Sequence, residues 1–203
     1  MSDTDPYVYI VEDDEAVRDS LALLLKAENY AVKTYASAEA FLKENVRSLR
    51  GALVLDIRMP GMTGMELHKK LLALQCALPV IFVTGHGDVS MAVEAMKLGA
   101  IDFVQKPYRE EELLAKIEEA LKMDAEQNEA LSQKEELKRR IESLTPREAE
   151  IMEMMVAGNA NKVIAIDLDI SQRTVEIHRS RVMQKMGTHS LAQLVQMIIV
   201  ARS

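Results

Sequence analysis

Five residues with reactive or charged side chains stand directly at the ends of short apolar runs. Glu12 and Asp13 follow YVYIV, Asp56 ends ALVLD, Thr84 ends VIFVT, and Lys106 follows DFVQ. If those runs lie side by side as parallel strands, their carboxyl ends meet on one rim and gather the five groups. Three carboxylates so placed repel one another, and a cation among them relieves the repulsion. A set of oxygen ligands selects a hard ion, Mg²⁺ or Mn²⁺, over zinc. Lys106 adds a fixed positive charge and Thr84 a hydroxyl, both suited to an incoming phosphoryl oxygen. Asp56 would then be the nucleophile that forms an acyl phosphate. The plainer explanation, in which each residue merely caps its own element, needs the same coincidence five times.

A second pattern lies in ISQRTVEIHRSRVMQKM. Val175, His178, Val182 and Met186 form a core-facing stripe at helical spacing. Arg173, Glu176, Ile177, Ser180, Arg181 and Gln184 fall on the opposite face. Cations, a carboxylate, a hydroxyl and one apolar side chain make a mix that reads major-groove base edges, with Ile177 meeting a thymine methyl. Asn161, Lys162, Thr174 and Arg179 are placed to bind phosphates and set register. By itself this pattern also fits the charged solvent face of a small helical domain. His178 faces the core side and His189 has no Cys or His at ligand spacing, so no transition-metal site is expected.

The elements that must position the first group alternate. Strands are expected at 7–11, 31–35, 52–56, 80–84 and 102–105, with helices at 15–28, 37–44, 64–74 and 89–98 and a fifth from about Arg109. Strands that are apolar without alternation suit a parallel sheet covered on both faces, so five βα units imply an α/β doubly wound fold. From 124 to 142 the chain has no Gly or Pro and pairs Glu135 with Arg139 and Glu136 with Arg140 at i,i+4 spacing, the mark of a polar helical linker, with a short dimer-contacting helix as the alternative. Residues 143–203 hold four short helices. Thr145, Pro146 and Glu148 open the first, Gly158 stops it, Ser171 caps the third, and a Ser190/Gln193 capping box opens the fourth. Three segments follow: 1–123, a linker at 124–142, and a small all-α domain at 143–203.

Composition narrows the setting. With 203 residues, 48% hydrophobic and 28% charged, the chain is too apolar for a disordered protein. Cys76 is alone and forms no internal disulfide, no apolar run has membrane-span length, and the acidic start lacks a signal peptide's basic region. A cytoplasmic protein without a membrane partner is expected. The net charge of −7 is uneven: the first segment carries −6, the linker −2 and the last segment +1. A local basic face therefore survives inside an acidic chain, and the local field is what a polyanion meets.

The strings YIVEDDEAVR, LVLDIRMPGMTG, FVTGHGD and DFVQKPY resemble the receiver domain of two-component response regulators over residues 7–121. LTPRE, NKVIA and SQRTVEIHRSRVMQKM resemble the LuxR-type helix-turn-helix domain over 143–201. Together they resemble a FixJ/NarL-type response regulator, nearest the FixJ branch. The resemblance implies a flavodoxin-like receiver joined to a helix-turn-helix domain. In the receiver it implies Glu12 and Asp13 as the acidic pair, with Asp13 a direct Mg²⁺ ligand, Asp56 as phosphoacceptor and the Arg58 carbonyl as a backbone metal ligand. It further implies Thr84 and Phe103 as switch residues and a cis Lys106–Pro107 bond; Arg58 and His86 would border the phosphoryl group and tune its hydrolysis. Asp14 is read as a solvated loop residue. The implied partners are a sensor histidine kinase, promoter DNA and a second copy on phosphorylation, with RNA polymerase as a further candidate. The implied protein is not an enzyme. A haloacid-dehalogenase-like enzyme would need an acid where Arg58 stands. A phosphorylation-independent regulator of the same fold remains the alternative.

Overall fold

The computed structural model describes residues 6–85 and 89–202. The chain divides into two compact units, Met1–Gln127 and Asn128–Ser203. In the first, strands β1 (Tyr7–Val11), β2 (Val32–Tyr35), β3 (Gly51–Asp56), β4 (Val80–Thr84) and β5 (Asp102–Gln105) form one sheet. The order is β2-β1-β3-β4-β5 and every pairing is parallel. Helices α1 (Glu15–Ala27), α2 (Ala38–Phe41), α3 (Gly64–Ala73), α4 (Val89–Lys97) and α5 (Glu110–Glu142) connect or follow the strands.

Alternate residues of each strand feed opposite cores, because successive side chains leave a strand on opposite faces. Tyr9, Val11, Leu53, Leu55 and Phe82 pack with Phe41 of α2, Leu67 and Leu71 of α3 and Ala95 of α4. Val8, Ile10, Val54, Ile81 and Val83 pack with Leu21 and Leu25 of α1 and Leu113 and Ile117 of α5. All six residues of β3 and all five of β4 are buried, which is why these strands read as unbroken apolar runs.

The second helix is shorter than its pattern suggests, running only from Ala38 to Phe41 before a 3₁₀ turn at Val46–Ser48. The fifth helix and the polar stretch are a single 33-residue helix. Its residues have different surroundings. Asp124 is buried and takes a two-pronged ion pair from Arg50. Leu137 is buried in the core of the second unit, with Ile141 against it.

The second unit adds α6 (Pro146–Val156), α7 (Asn161–Asp167), α8 (Gln172–Met186) and α9 (Leu191–Arg202). Ile151, Met155, Ile164, Val175, Val182, Leu194 and Ile198 fill its centre. The capping box of Thr145 and Glu148 opens α6, with Pro146 in its first turn. At the start of α9 the expected Ser190/Gln193 box is replaced. The Ser190 N–H donates to the Thr188 hydroxyl, and that hydroxyl donates to Gln193 Oε1. Thr188 is 4% exposed, so its buried hydroxyl captures both groups that the box would have paired with each other. Among the described residues, no helix is long and apolar enough to cross a membrane.

Candidate functional site

The carboxyl end of the sheet gathers the acidic groups. Glu12 leaves β1 with its N–H on the Tyr35 carbonyl, which fixes its direction, and it is 4% exposed. Asp13 follows and is exposed. Arg18, one turn into α1, donates to the carbonyls of Glu12 (2.8 Å) and Asp13 (3.2 Å), and so braces the loop. Asp14 is the N-cap of α1 and accepts from the N–H groups of Ala16 and Val17. It is exposed, as a solvated loop residue would be, and it also caps α1, because its position just before the helix meets orphan amides.

Asp56 ends β3 and is 6% exposed. The Arg58 N–H donates to Asp56 Oδ2 at 2.7 Å, while Oδ1 faces Lys106 Nζ at 3.1 Å. The same ammonium donates to Glu12 Oε2 at 2.6 Å. Glu12, Asp13 and Asp56 each offer a carboxylate oxygen, and these lie within 4.8 Å of one another. Gly64 allows α3 to begin against this loop: a Cβ there would overlap the Asp56 carbonyl oxygen.

Burial pushes the Glu12 and Asp56 carboxyls above the usual range, against the pull of Lys106 on both. Burial also opposes the charge on Lys106, but Glu12 and Asp56 outweigh it and hold the ammonium above its ordinary value. Among the described residues the pocket is thus short of positive charge, with the carboxylates of Glu12, Asp13 and Asp56 against the Lys106 ammonium, and the candidate metal donors are hard oxygens. That set fits Mg²⁺ or Mn²⁺.

Thr84 ends β4 at 1% exposure, and its carbonyl accepts from the Lys106 N–H at 2.9 Å. Phe103 lies opposite Phe82 in the β4–β5 register, half-buried against the core. The Lys106–Pro107 peptide bond is cis. The Arg58 side chain is exposed, and His86 lies outside the described residues.

In the second unit, Ser171 caps α8 by accepting from the Thr174 N–H, and the Thr174 hydroxyl pairs with the Ser171 hydroxyl at 2.8 Å. Val175, Val182 and Met186 are buried as their spacing required. Half-buried His178 shares that side, and its Nδ1 is buried without a hydrogen-bond partner among the described residues. Arg173, Glu176, Ile177, Ser180 and Arg181 are exposed, and the first four named line one shallow concavity. Lys162 is exposed; Asn161, Thr174 and Arg179 are half-buried.

Sequence reading missed the residues that brace this helix and the end of α7 before it. Lys185 donates to Glu148 Oε2 at 2.6 Å and to the Ser143 carbonyl at 2.9 Å. Arg140 donates to the Met186 carbonyl at the end of α8, against Gly187 in the left-handed conformation. Arg147 donates to the Leu168 carbonyl and closes α7. No local signal exposes these contacts. Each joins groups 21 to 46 residues apart in the chain.

A parallel five-stranded unit with an acidic rim, followed by a helical unit with a basic helix, is the arrangement of a receiver domain joined to a DNA-binding domain. Residues 8–118 match the response regulator receiver domain, and residues 142–198 match the luxR family of bacterial regulatory proteins. The chain belongs to the FixJ-type transcriptional response regulators, a class of DNA-binding regulators and not of enzymes. It is 47% identical over 194 residues to the transcriptional regulatory protein FixJ of Azorhizobium caulinodans, covering 96% of this chain and 92% of that protein. It is 43% identical over 196 residues to the response regulator protein TodT of Pseudomonas putida, covering 97% and 86%. Among solved structures, the response regulator StyR matches with a TM-score of 0.88 at 42% identity, covering 95% of this chain and 98% of that one. Full-length FixJ from B. japonicum matches with a TM-score of 0.60 at 42% identity, covering 98% of each.

Proposed function

We propose that this regulator is switched by phosphorylation of Asp56, with a sensor histidine kinase as donor. A carboxylate oxygen of Asp56 attacks the phosphorus of a phosphohistidine. The P–N bond breaks, its electron pair stays with the imidazole, and an acyl phosphate forms on Asp56. Lys106 neutralises charge on the acceptor carboxylate and on the incoming phosphoryl oxygens. Thr84 supplies a hydroxyl donor at the end of the neighbouring strand, and its turn toward the phosphoryl group carries Phe103 with it. Glu12, Asp13, Asp56 and the Arg58 carbonyl would hold Mg²⁺ or Mn²⁺, which supplies Lewis-acid stabilisation of the phosphoryl oxygens when bound.

The switched receiver pairs with a second copy through α4, β5 and α5. Two copies of α8 then enter successive major grooves of promoter DNA, in the cytoplasm. Arg173, Glu176, Ile177, Ser180 and Arg181 face base edges, while Asn161, Lys162, Thr174 and Arg179 hold phosphates. Joining two weak DNA readers raises affinity through effective concentration. RNA polymerase is the downstream partner.

The observation that carries this reading is the buried Asp56 carboxylate, held by the Arg58 N–H beside Lys106 on a rim with two further acids. Native mass spectrometry with Mg²⁺ and acetyl phosphate tests it. One phosphoryl group per wild-type chain, none on Asp56→Asn, and a shift to dimer are expected. Uptake by the variant, or none by wild type from either acetyl phosphate or a cognate kinase, overturns it.

A further inference from the structure

Glu176 stands where an acid works against the rest of the face. It is the only acidic residue of α8, which also carries Arg173, Arg179, Arg181 and Lys185. It is exposed and sits in the same concavity as Arg173, Ile177 and Ser180, at the i, i+3, i+4 and i+7 positions of one helix face. A carboxylate held against a polyanion weakens binding unless it gains something in return.

The usual structural gains are absent. The first turn of α8 holds no acid, so Glu176 lies too far along the helix to favour its macrodipole. It has no ion pair and no hydrogen bond among the described residues, although Arg173, Arg179 and Ser180 lie three or four positions away. Capping of α8 is done by Ser171. The inference rests on the DNA-reading face proposed above: what remains for this carboxylate is the DNA.

The chemistry of the groove then selects a base. A carboxylate only accepts hydrogen bonds. Guanine presents N7 and O6 and thymine O4, all acceptors, so both repel it. Adenine offers its N6 amino group, but N7 beside it is an acceptor that meets the second carboxylate oxygen. Cytosine offers the N4 amino group with no acceptor beside it on its own major-groove edge. We propose that Glu176 is the specificity-determining residue of α8, accepting from cytosine N4 and rejecting other bases at that position by lone-pair repulsion. It acts as a filter: it lowers affinity for DNA in general and keeps it for sites with cytosine at one place in each half-site. Ile177 beside it supplies an apolar contact for a neighbouring thymine methyl.

The test is selection from a randomised duplex library by the full chain, phosphorylated with acetyl phosphate and Mg²⁺. Wild type, Glu176→Ala and Glu176→Gln are compared. An exposed helical position tolerates both changes, since Ala and Gln are good helix formers. Wild type enriches a half-site with one invariant cytosine, and exchanging that pair weakens binding about tenfold or more. Glu176→Ala loses preference in that column alone, discriminates less than about twofold there, and binds unrelated duplex more tightly than wild type. Glu176→Gln moves the column to adenine, whose N6 and N7 suit an amide. A Glu176→Ala motif identical to wild type overturns the filter, as does loss of a column that held another base. If wild type takes up phosphate on Asp56 yet enriches no motif, the DNA-reading face fails along with it.

Discussion

Removing the Glu148 carboxylate should loosen the helical unit by an amount the geometry allows to be worked out. Glu148 is 3% exposed and serves two partners: the Thr145 N–H at 2.9 Å and the Lys185 ammonium at 2.6 Å. Losing its half of the capping box costs about 1 kcal/mol. Losing a charge-assisted hydrogen bond costs about 2 kcal/mol. Glu148→Ala should therefore lower the opening free energy of α6 and α8 by about 3 kcal/mol, roughly a hundredfold in protection. Glu148→Gln keeps an acceptor for Thr145 and should lose about half as much. Amide hydrogen exchange on the full chain, read by mass spectrometry of peptides from α6 and α8, reports this directly.

The same carboxylate sets a pH dependence. Its pKa is lowered from 4.5 to about 2, first by the Lys185 hydrogen bond and next by the Thr145 N–H. A folded-state pKa below the unfolded one contributes stability above the unfolded value and loses it as pH falls through the folded one. The protection gap between wild type and Glu148→Gln should be full at pH 7, narrow below about 4.5 and close near 2. A gap under about fivefold at pH 7, or one that does not change with pH, would refute the brace.

Three further outcomes are expected. Lys106→Met should bind Mg²⁺ severalfold more tightly by isothermal titration, because a cation 2.6 Å from Glu12 and 3.1 Å from Asp56 no longer competes; weaker binding would contradict the shared pocket. Lys162→Ala should reduce the slope of log affinity against log salt by about one and leave the selected DNA motif unchanged. Ile151→Ala should cost about 2–5 kcal/mol, seen as lost protection in α6 through α9 with the receiver peptides unchanged, since this side chain is fully buried in the helical unit's own core.

Much of this protein is local, and local properties are legible in a sequence. The runs that became β3 and β4 are apolar without alternation because both their faces are covered, and each strand ends at the residue that carries chemistry, Asp56 or Thr84. The buried stripe of Val175, Val182 and Met186 follows from helical geometry, as does the exposure of Glu176 and Ile177 on the other side. Caps at Thr145 and Ser171 need only neighbours within three residues. Even the convergence of Glu12, Asp56 and Lys106 could be inferred, because a parallel sheet places all its carboxyl ends on one rim.

What the chain alone left open depends on partners distant in sequence. Thr188 takes over both groups expected to form the Ser190/Gln193 box because folding buries its hydroxyl beside them. Asp124, on a stretch that reads as solvated, is buried by Arg50 from 74 residues away. The supports of α8 from Glu148, Ser143 and Arg140 leave no periodic trace, since a single side chain reaching another helix has no spacing to betray it. Residue types and periods determined which groups the protein could use. Long-range packing decided which of them are held, by whom, and in what electrostatic surroundings.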